Sequence, residues 1–303
     1  MNVLSLFDGI ACTRVALERA EINVKNYFAS EIDKHCIKVA NQNYPDIVHL
    51  GDINDININN LPKIDLLIGG SPCQDISHAF SGKGLKGSRS SLFHKFVAIK
   101  NKINPKFFIL ENVKSKWRFQ MDKAIGVIGI ELNSKYFSAQ SRPRLYWTNI
   151  DFIQPEINNE KNIIDCLEKN VDEKYFLKKN IQEKINISFQ RKNSRSMKIE
   201  KILTADKTII NDNERQRRIY SIYGKAPTLL ARSDTPKILT QKGIRKLTPL
   251  ECERLQELPD NYASCLSNTQ RYKAIGNGFT VSAIEYIINS SNKLKPMQTG
   301  IEF

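Results

Sequence analysis

Short apolar runs at residues 3–7, 27–30, 47–50, 64–68 and 107–110 alternate with amphipathic stretches at 13–20, 34–43 and 92–103. In the last stretch Leu92, Phe93, Phe96, Val97, Ile99 and Ile103 recur at mostly helical spacing. Strand–helix alternation of this kind leaves few folds open. Each helix must return the chain so that the next strand lies parallel to the last, which predicts an α/β fold with a doubly wound, mostly parallel sheet. Runs at 127–132 and 144–150 add two further strands, expected as antiparallel neighbours at one edge.

The residues just past each strand narrow the function. The five ends carry Asp8-Gly9, Glu31, Gly51-Asp52, Gly69-Gly70-Ser71-Pro72-Cys73 and Glu111-Asn112. Ligands in open α/β sheets bind beyond the carboxyl ends of the strands, and five such ends with small, acidic or nucleophilic residues are more than coincidence. A cofactor carrying adenine and ribose needs close backbone approach, an apolar face and a carboxylate for the diol. Phe7, Gly9 and Glu31 supply these at the spacing of one βαβ unit, and Asp52 suits the adenine amino group. The glycine pattern is not that of a phosphate-cradling loop, which argues against a nucleoside triphosphate.

Cys73 directly follows a proline in a turn leaving a strand, where a thiol is presented at a fixed angle and serves as a nucleophile if its pKa is lowered. A structural loop cysteine is the plain alternative. Residues 75–91 then bring three glycines, five serines, Lys83, Lys86 and Arg89, a polar loop suited to closing on a phosphate-bearing substrate. Glu111 places a carboxylate on the adjacent strand end. None of the six cysteines forms a CxxC pair, so neither a zinc site nor a redox dithiol is indicated.

Charge points the same way. The chain has 46 Lys and Arg against 32 Asp and Glu, a net +14. Residues 191–232 hold 11 basic and 4 acidic residues, so a net +7 lies in 42 residues, which suggests a polyanionic partner or, more plainly, a solvated linker. From 151 to 246 Asn and Lys are dense and periodicity is poor, with short strands expected at 226–231 and 237–239. Regular structure resumes at Thr248-Pro249-Leu250-Glu251, a capping box with proline at the first helical position, opening a helix to about residue 258. A last helix is expected at 280–288, after a loop Gly276-Asn277-Gly278. The first residues run straight into a strand and no apolar run approaches bilayer length, so neither a leader nor a membrane partner is expected, and the location expected is cytoplasmic.

Phe7-Asp8-Gly9, Gly70-Ser71-Pro72-Cys73-Gln74, Glu111-Asn112-Val113, Gln140-Ser141-Arg142-Pro143-Arg144, residues 245–256 and Gly276-Asn277-Gly278 stand in order along the chain. Together they resemble the ordered motifs of the C5-cytosine DNA methyltransferases. The cysteine loop and Tyr146-Trp147-Thr148-Asn149 are most similar to phage and bacterial members related to the animal de novo enzymes. The resemblance implies the fold of the S-adenosyl-L-methionine-dependent methyltransferases, with a catalytic domain at 1–150, a target recognition domain at 151–246 and a C-terminal segment at 247–303 that completes the catalytic domain. It implies attack of Cys73 on C6 of a flipped cytosine in double-stranded DNA. Glu111 would take the N3 and amino edge and Arg144 the O2, with Arg142 beside it or on a phosphate. S-adenosyl-L-methionine would contact Phe7, Gly9, Glu31, Ile32, Asp52, Ile53, Gly70, Leu92 and Asn277. DNA would be touched by Gln74, Ser77, Arg89, Arg191, Lys192, Arg195 and Lys198. A monomer is expected, in bacterial or phage-infected cytoplasm, beside a cognate restriction endonuclease where one exists.

Three positions depart from the family pattern: Ala11 and Thr13 stand where glycines are common, and Glu21 where many members turn on glycine. A slightly tighter first turn is expected. Two rivals remain. An RNA cytosine methyltransferase would share the scaffold, but its distinctive insert signature is absent. A silent accessory subunit would not need Cys73, Glu111 and Arg144 together.

Overall fold

The computed structural model describes residues 1–72, 90–156, 159–192 and 194–291. The first half is built from β1 (Asn2–Leu6), α1 (Cys12–Arg19), β2 (Asn26–Ser30), α2 (Lys34–Asn43), β3 (Val48–Gly51), β4 (Leu66–Gly70), α3 (Ser90–Ile103), β5 (Phe107–Asn112), α4 (Arg118–Ile125), β6 (Ile130–Asn133), β7 (Gln140–Ser141) and β8 (Pro143–Thr148). Seven strands form one sheet in the order β3-β2-β1-β4-β5-β8-β6. The pairs from β3 to β5 are parallel and β8 runs antiparallel to β5. The doubly wound sheet with an antiparallel edge is therefore the one expected. The order reverses at β1, which has β2 on one side and β4 on the other, so the carboxyl ends of five parallel strands open onto one edge of the sheet.

The core explains the register. Leu4, Leu6, Leu67, Phe93, Phe96, Phe108, Leu110, Leu145 and Trp147 are buried in one cluster, to which both sheet and helices contribute. The fourth strand starts and ends two residues later than the apolar run suggests, so Gly69 and Gly70 belong to the strand and not to the turn. A Cβ on Gly69 would lie 2.7 Å from the Leu6 carbonyl oxygen and 3.1 Å from the Phe96 ring, so only glycine lets β4 sit against β1 and α3 there.

Two of the three departures from the glycine pattern carry backbone strain, while Thr13 lies within α1. Ala11 caps α1 at φ 60° and Glu21 follows it at φ 56°, each in the left-handed conformation that glycine would take freely. Phe7 is also left-handed, at φ 58°. Each such residue costs about 1–2 kcal/mol relative to a right-handed one, and the three flank the first βα turn and its helix.

The remaining elements are α5 (Ile163–Cys166), α6 (Lys179–Ile185), β9 (Lys201–Thr204), α7 (Glu214–Arg217), β10 (Arg218–Ser221), β11 (Ala226–Pro227), β12 (Lys237–Thr240), β13 (Gly243–Lys246), α8 (Pro249–Leu255), α9 (Asn268–Asn277) and α10 (Val281–Asn289). The stretch that reads as poorly periodic holds a four-stranded sheet, β13-β12-β10-β9. Its core is Ile219, Leu239 and Ile244, covered by Leu177, Ile185, Ile187, Phe189 and Leu203. Gly276 and Asn277 end a helix rather than forming a loop, with Gly278 as its cap. The chain divides into two compact units. One takes Met1–Leu132, Pro143–Gln154 and the chain from Ala283; the other takes Asn133–Arg142 and Pro155–Ser282. These divisions fall elsewhere than at 150 and 246.

In the second unit α8 starts with the expected capping box: Thr248 accepts from the Glu251 N–H and Glu251 from the Thr248 N–H. Glu251 does more than cap. Its two oxygens receive both terminal nitrogens of Arg245 at 2.7 Å, and one also accepts the Glu168 N–H at 2.9 Å. Arg245 is 2% exposed and Glu251 0%. A bidentate pair this deeply buried tolerates no missing partner, because the remaining charge has no water to turn to. Glu251→Ala is therefore expected to cost about 3–5 kcal/mol, read as a fall in the denaturation midpoint in urea. A loss within about 1 kcal/mol would show that the pair is not a structural anchor.

Candidate active site

Beyond the end of β5, Glu111 and Arg144 meet. Glu111 lies opposite Tyr146 in the β5–β8 ladder, which puts Arg144 on the neighbouring strand two residues away. The Arg144 Nε is 2.8 Å from a Glu111 carboxylate oxygen, and the side chains are 13% and 12% exposed. Arg144 also donates to the carbonyl of Pro143 at 2.9 Å, which fixes the plane of the guanidinium.

The next residue of β5 fixes the adjacent loop. Asn112 is 1% exposed, and its amide nitrogen donates to the Ser71 hydroxyl at 2.9 Å and the Ser71 carbonyl at 3.1 Å. Its carbonyl oxygen accepts the Val113 N–H at 2.8 Å. Because Gly70 pairs with Glu111, Ser71 and Pro72 are tied to the strand that carries the carboxylate. Cys73 itself, with Gln74, Ser77 and Arg89, lies outside the described residues. The sequence alone gives Asn112 no role. The available signal is its place between Glu111 and Val113, one strand over from the serine that precedes Pro72.

At the ends of β1 to β3 the candidate cofactor residues assemble. The Glu31 carboxylate accepts the Gly9 N–H at 2.8 Å on one oxygen and the N–H groups of Ile32 and Asp33 at 2.7 and 2.8 Å on the other. Three backbone donors fix its orientation and leave lone pairs for a further donor. Ile32 beside it is 73% exposed, a bare apolar face at a polar strand end. Phe7, Ile53 and Leu92 pack on a single hydrophobic cluster, with Ile53 buried and the other two partly so. Asp52 is turned into its own loop, accepting the Asn54 N–H at 2.8 Å and the Asn54 side-chain amide at 2.9 Å. Gly70 closes β4. Asn277 belongs to the second unit, where it is exposed at the end of α9.

Arg142 needs correction. Its guanidinium does not stand free for a base or a phosphate. It is 5% exposed and donates to the carbonyls of Leu229, Gly276 and Gly278, each at 3.1 Å. Nearby, the Gln140 side chain donates to the Gln256 side chain at 3.0 Å and accepts the Leu229 N–H at 2.8 Å, while Gln256 donates to the carbonyls of Ile275 and Gly278 at 2.9 and 3.1 Å. Gln140, Arg142 and Gln256 thus form a buried polar network that satisfies backbone carbonyls of the second unit.

Of the residues expected on DNA, Arg191 and Lys198 are exposed. Lys192 is paired with Glu200 at 2.9 Å, and Arg195 with Asp165. Three further arginines of the basic stretch 191–232, Arg215, Arg217 and Arg218, are engaged on the Thr228 carbonyl, the Ala205 carbonyl and Glu214. No helix among the described residues is long and apolar enough to cross a membrane.

This arrangement has known counterparts. The profile of the C-5 cytosine-specific DNA methylase family matches residues 1–136 and 127–293. The chain is 33% identical to the type II methyltransferase M1.ScrFI of Lactococcus lactis subsp. cremoris, over 94% of this chain and 76% of the relative. It is 27% identical to the orphan methyltransferase M.SPRI of Bacillus phage SPR, over 95% and 96%. Among solved structures, the methyltransferase EhMeth of Entamoeba histolytica superposes with a TM-score of 0.71 at 17% identity, covering 96% of this chain and 97% of that one, which shows the shared fold. Motif order, sheet and family profile agree: the chain belongs to the C-5 cytosine-specific DNA methylase family, enzymes that methylate cytosine in DNA at C5.

Proposed function

We propose that this enzyme takes its methyl group from S-adenosyl-L-methionine and delivers it through a covalent bond between Cys73 and C6 of a cytosine flipped out of duplex DNA. The observation that carries the reading is the Glu111–Arg144 pair beside the anchored Ser71-Pro72 turn. On cytosine, O2, N3 and the amino group lie in a row along one edge. A carboxylate and a guanidinium held 2.8 Å apart match adjacent atoms of that row, Arg144 on O2 and Glu111 on N3 and the amino group. A proton held between Glu111 and N3 draws electron density from C6, which opens that carbon to the Cys73 thiolate. Addition there makes C5 nucleophilic. After methylation, loss of the C5 proton and elimination of the sulfur restore the ring and free Cys73. The base must leave the stack first, since neither C6 nor the N3 edge is accessible within it.

The donor reading rests on Glu31, Ile32 and the Phe7, Ile53 and Leu92 cluster. A carboxylate fixed by three N–H groups suits a ribose diol, and an exposed isoleucine next to it suits an aromatic ring. When bound there, S-adenosyl-L-methionine would supply an electrophilic methyl group; Gly9, Gly70 and Asp52 line the same sheet edge. Target recognition is assigned to residues 151–246, with Arg191 and Lys198 on phosphates. Lys192 and Arg195 would have to exchange their carboxylate partners for DNA. Cations on phosphate contribute affinity without sequence information. The type II designation of M1.ScrFI supports a restriction–modification setting with a cognate endonuclease.

Duplex DNA copied with 5-fluorocytosine tests the nucleophile, because fluorine on C5 cannot leave as a proton does. With S-adenosyl-L-methionine it should trap a denaturant-stable protein–DNA adduct, and peptide mapping should place the bond on Cys73. A bond to another cysteine, or full activity in Cys73→Ala, would overturn the assignment. Trapping on tRNA but not on duplex DNA would favour an RNA substrate.

Glu111→Gln keeps the shape of the side chain and loses the proton it holds at N3. The methylation rate should fall about 10²–10⁴-fold, with DNA affinity changed little. A rate within about threefold of wild type, under ~1 kcal/mol of barrier, would contradict the role.

A further inference from the structure

Beneath the first βα turn lies a group of polar side chains that the reaction does not use. Asp8 sits between left-handed Phe7 and Gly9, at φ 58° and 61°, and is 4% exposed. The Tyr27 hydroxyl, on β2, donates to one Asp8 carboxylate oxygen at 2.6 Å. Ser5 of β1 and Thr13 of α1 are wholly buried with it. Among the described residues, no hydrogen bond of good geometry reaches the second Asp8 oxygen, while the Ser5 hydroxyl lies near both Asp8 and Tyr27 and the Thr13 hydroxyl near Tyr27. Thr13 stands where the family commonly has glycine, so this polar group belongs to a departure that the sequence already marks.

A buried carboxyl with one strong partner is costly to leave in place without a purpose. Its position supplies one. The Asp8 N–H donates to the Ser30 carbonyl at 3.1 Å, and the next N–H, that of Gly9, donates to Glu31 at 2.8 Å. We propose that Asp8 and Tyr27 are positioning residues for the methyl donor: the Tyr27–Asp8 hydrogen bond holds the left-handed turn in the shape that lets Gly9 orient Glu31. The inference rests on the assignment of S-adenosyl-L-methionine to this sheet edge.

The chemistry sets a signature that packing alone would not produce. Burial, the largest influence, pushes the Asp8 carboxyl up to about 6, with the nearby Glu31 charge adding to it and the Tyr27 and Ser5 hydroxyls opposing it. The ionisable groups bearing on it are thus Tyr27 and Glu31; Ser5 and Thr13 are neutral hydroxyls. A carboxyl raised in the folded state stabilises the turn in its neutral form, and that stability is lost as pH rises through about 6. When neutral, the acid can donate its own proton to a neighbouring hydroxyl. Once it is ionised, Tyr27 becomes its essential partner.

Calorimetric titration of the DNA-free protein with S-adenosylhomocysteine between pH 5 and 7.5 tests this. Wild-type affinity should weaken as pH rises through about 6. Asp8→Asn, permanently neutral and able to donate, should bind with a flat pH profile. Tyr27→Phe should bind about tenfold more weakly at pH 7.5, the scale expected when a buried ion loses a hydrogen bond. Asp8→Asn placed in the Tyr27→Phe background should recover that loss, a coupling that two independent structural defects would not show. Thermal melting of each variant checks that it folds. If Tyr27→Phe does not fold, the pH profile of Asp8→Asn decides alone. Equal affinity and equal pH dependence in wild type and Asp8→Asn would overturn the proposal. Failure of the wild type to bind S-adenosylhomocysteine at any pH would instead overturn the donor assignment on which it rests.

Discussion

Parallel pairing of β3, β2, β1, β4 and β5 is the constraint that organises the molecule. Because these strands run the same way, every loop that leaves a strand end leaves on the same side. Residues separated by a hundred positions in the chain are thereby gathered: Gly9, Glu31, Asp52, Gly70 and Glu111 all end or follow strands of this one edge. The close approach that makes it possible is local. At Gly69 there is no room for a Cβ between the Leu6 carbonyl and Phe96, so the strand leading to Cys73 can lie flush against β1. The ladder then passes position from strand to strand, Leu6 to Gly69 and Gly70 to Glu111.

Much of this was legible in the sequence because it depends on periodicity and on strand ends. Apolar runs of four or five residues locate the parallel strands, and the residues just past each run name the candidate chemistry. The capping box at Thr248 and Glu251 was legible for the same reason, since its physics is contained in four consecutive residues. The features that escaped depend on partners far away in the chain. Arg142 reads as a ligand because arginines in such motifs so often are, yet its terminal nitrogens donate to carbonyls at 229, 276 and 278. Asn112 reads as a spacer between Glu111 and Val113 until Ser71 is seen against it. In the second unit the short strands expected at 226–231 and 237–239 are present as β11 and β12, but β9, β10 and β13 escaped because they are short and the three buried core residues leave no long alternation to detect.

The two uses of buried charge in the molecule contrast. Arg245 and Glu251 satisfy each other fully, with two 2.7 Å contacts and backbone donors on the remaining lone pairs, which is the condition under which a buried pair holds structure. Glu111 and Arg144 are less deeply buried, each with more than a tenth of its side chain exposed, and lie at a strand end rather than inside a core. Asp8 is a third case: buried, with one strong partner, and placed in a turn that carries left-handed strain at Phe7 and Ala11. Strain that the surrounding fold must hold in place is a common attribute of binding turns.

Methylation of cytosine at C5 in duplex DNA is tested most directly by bisulfite sequencing of DNA from a methylation-deficient bacterial host expressing the protein, since 5-methylcytosine resists conversion. The prediction is protected cytosines at every copy of one short sequence, and none in a host expressing Cys73→Ala. Complete conversion of the DNA in the wild-type strain, with the folded protein present, would contradict the account.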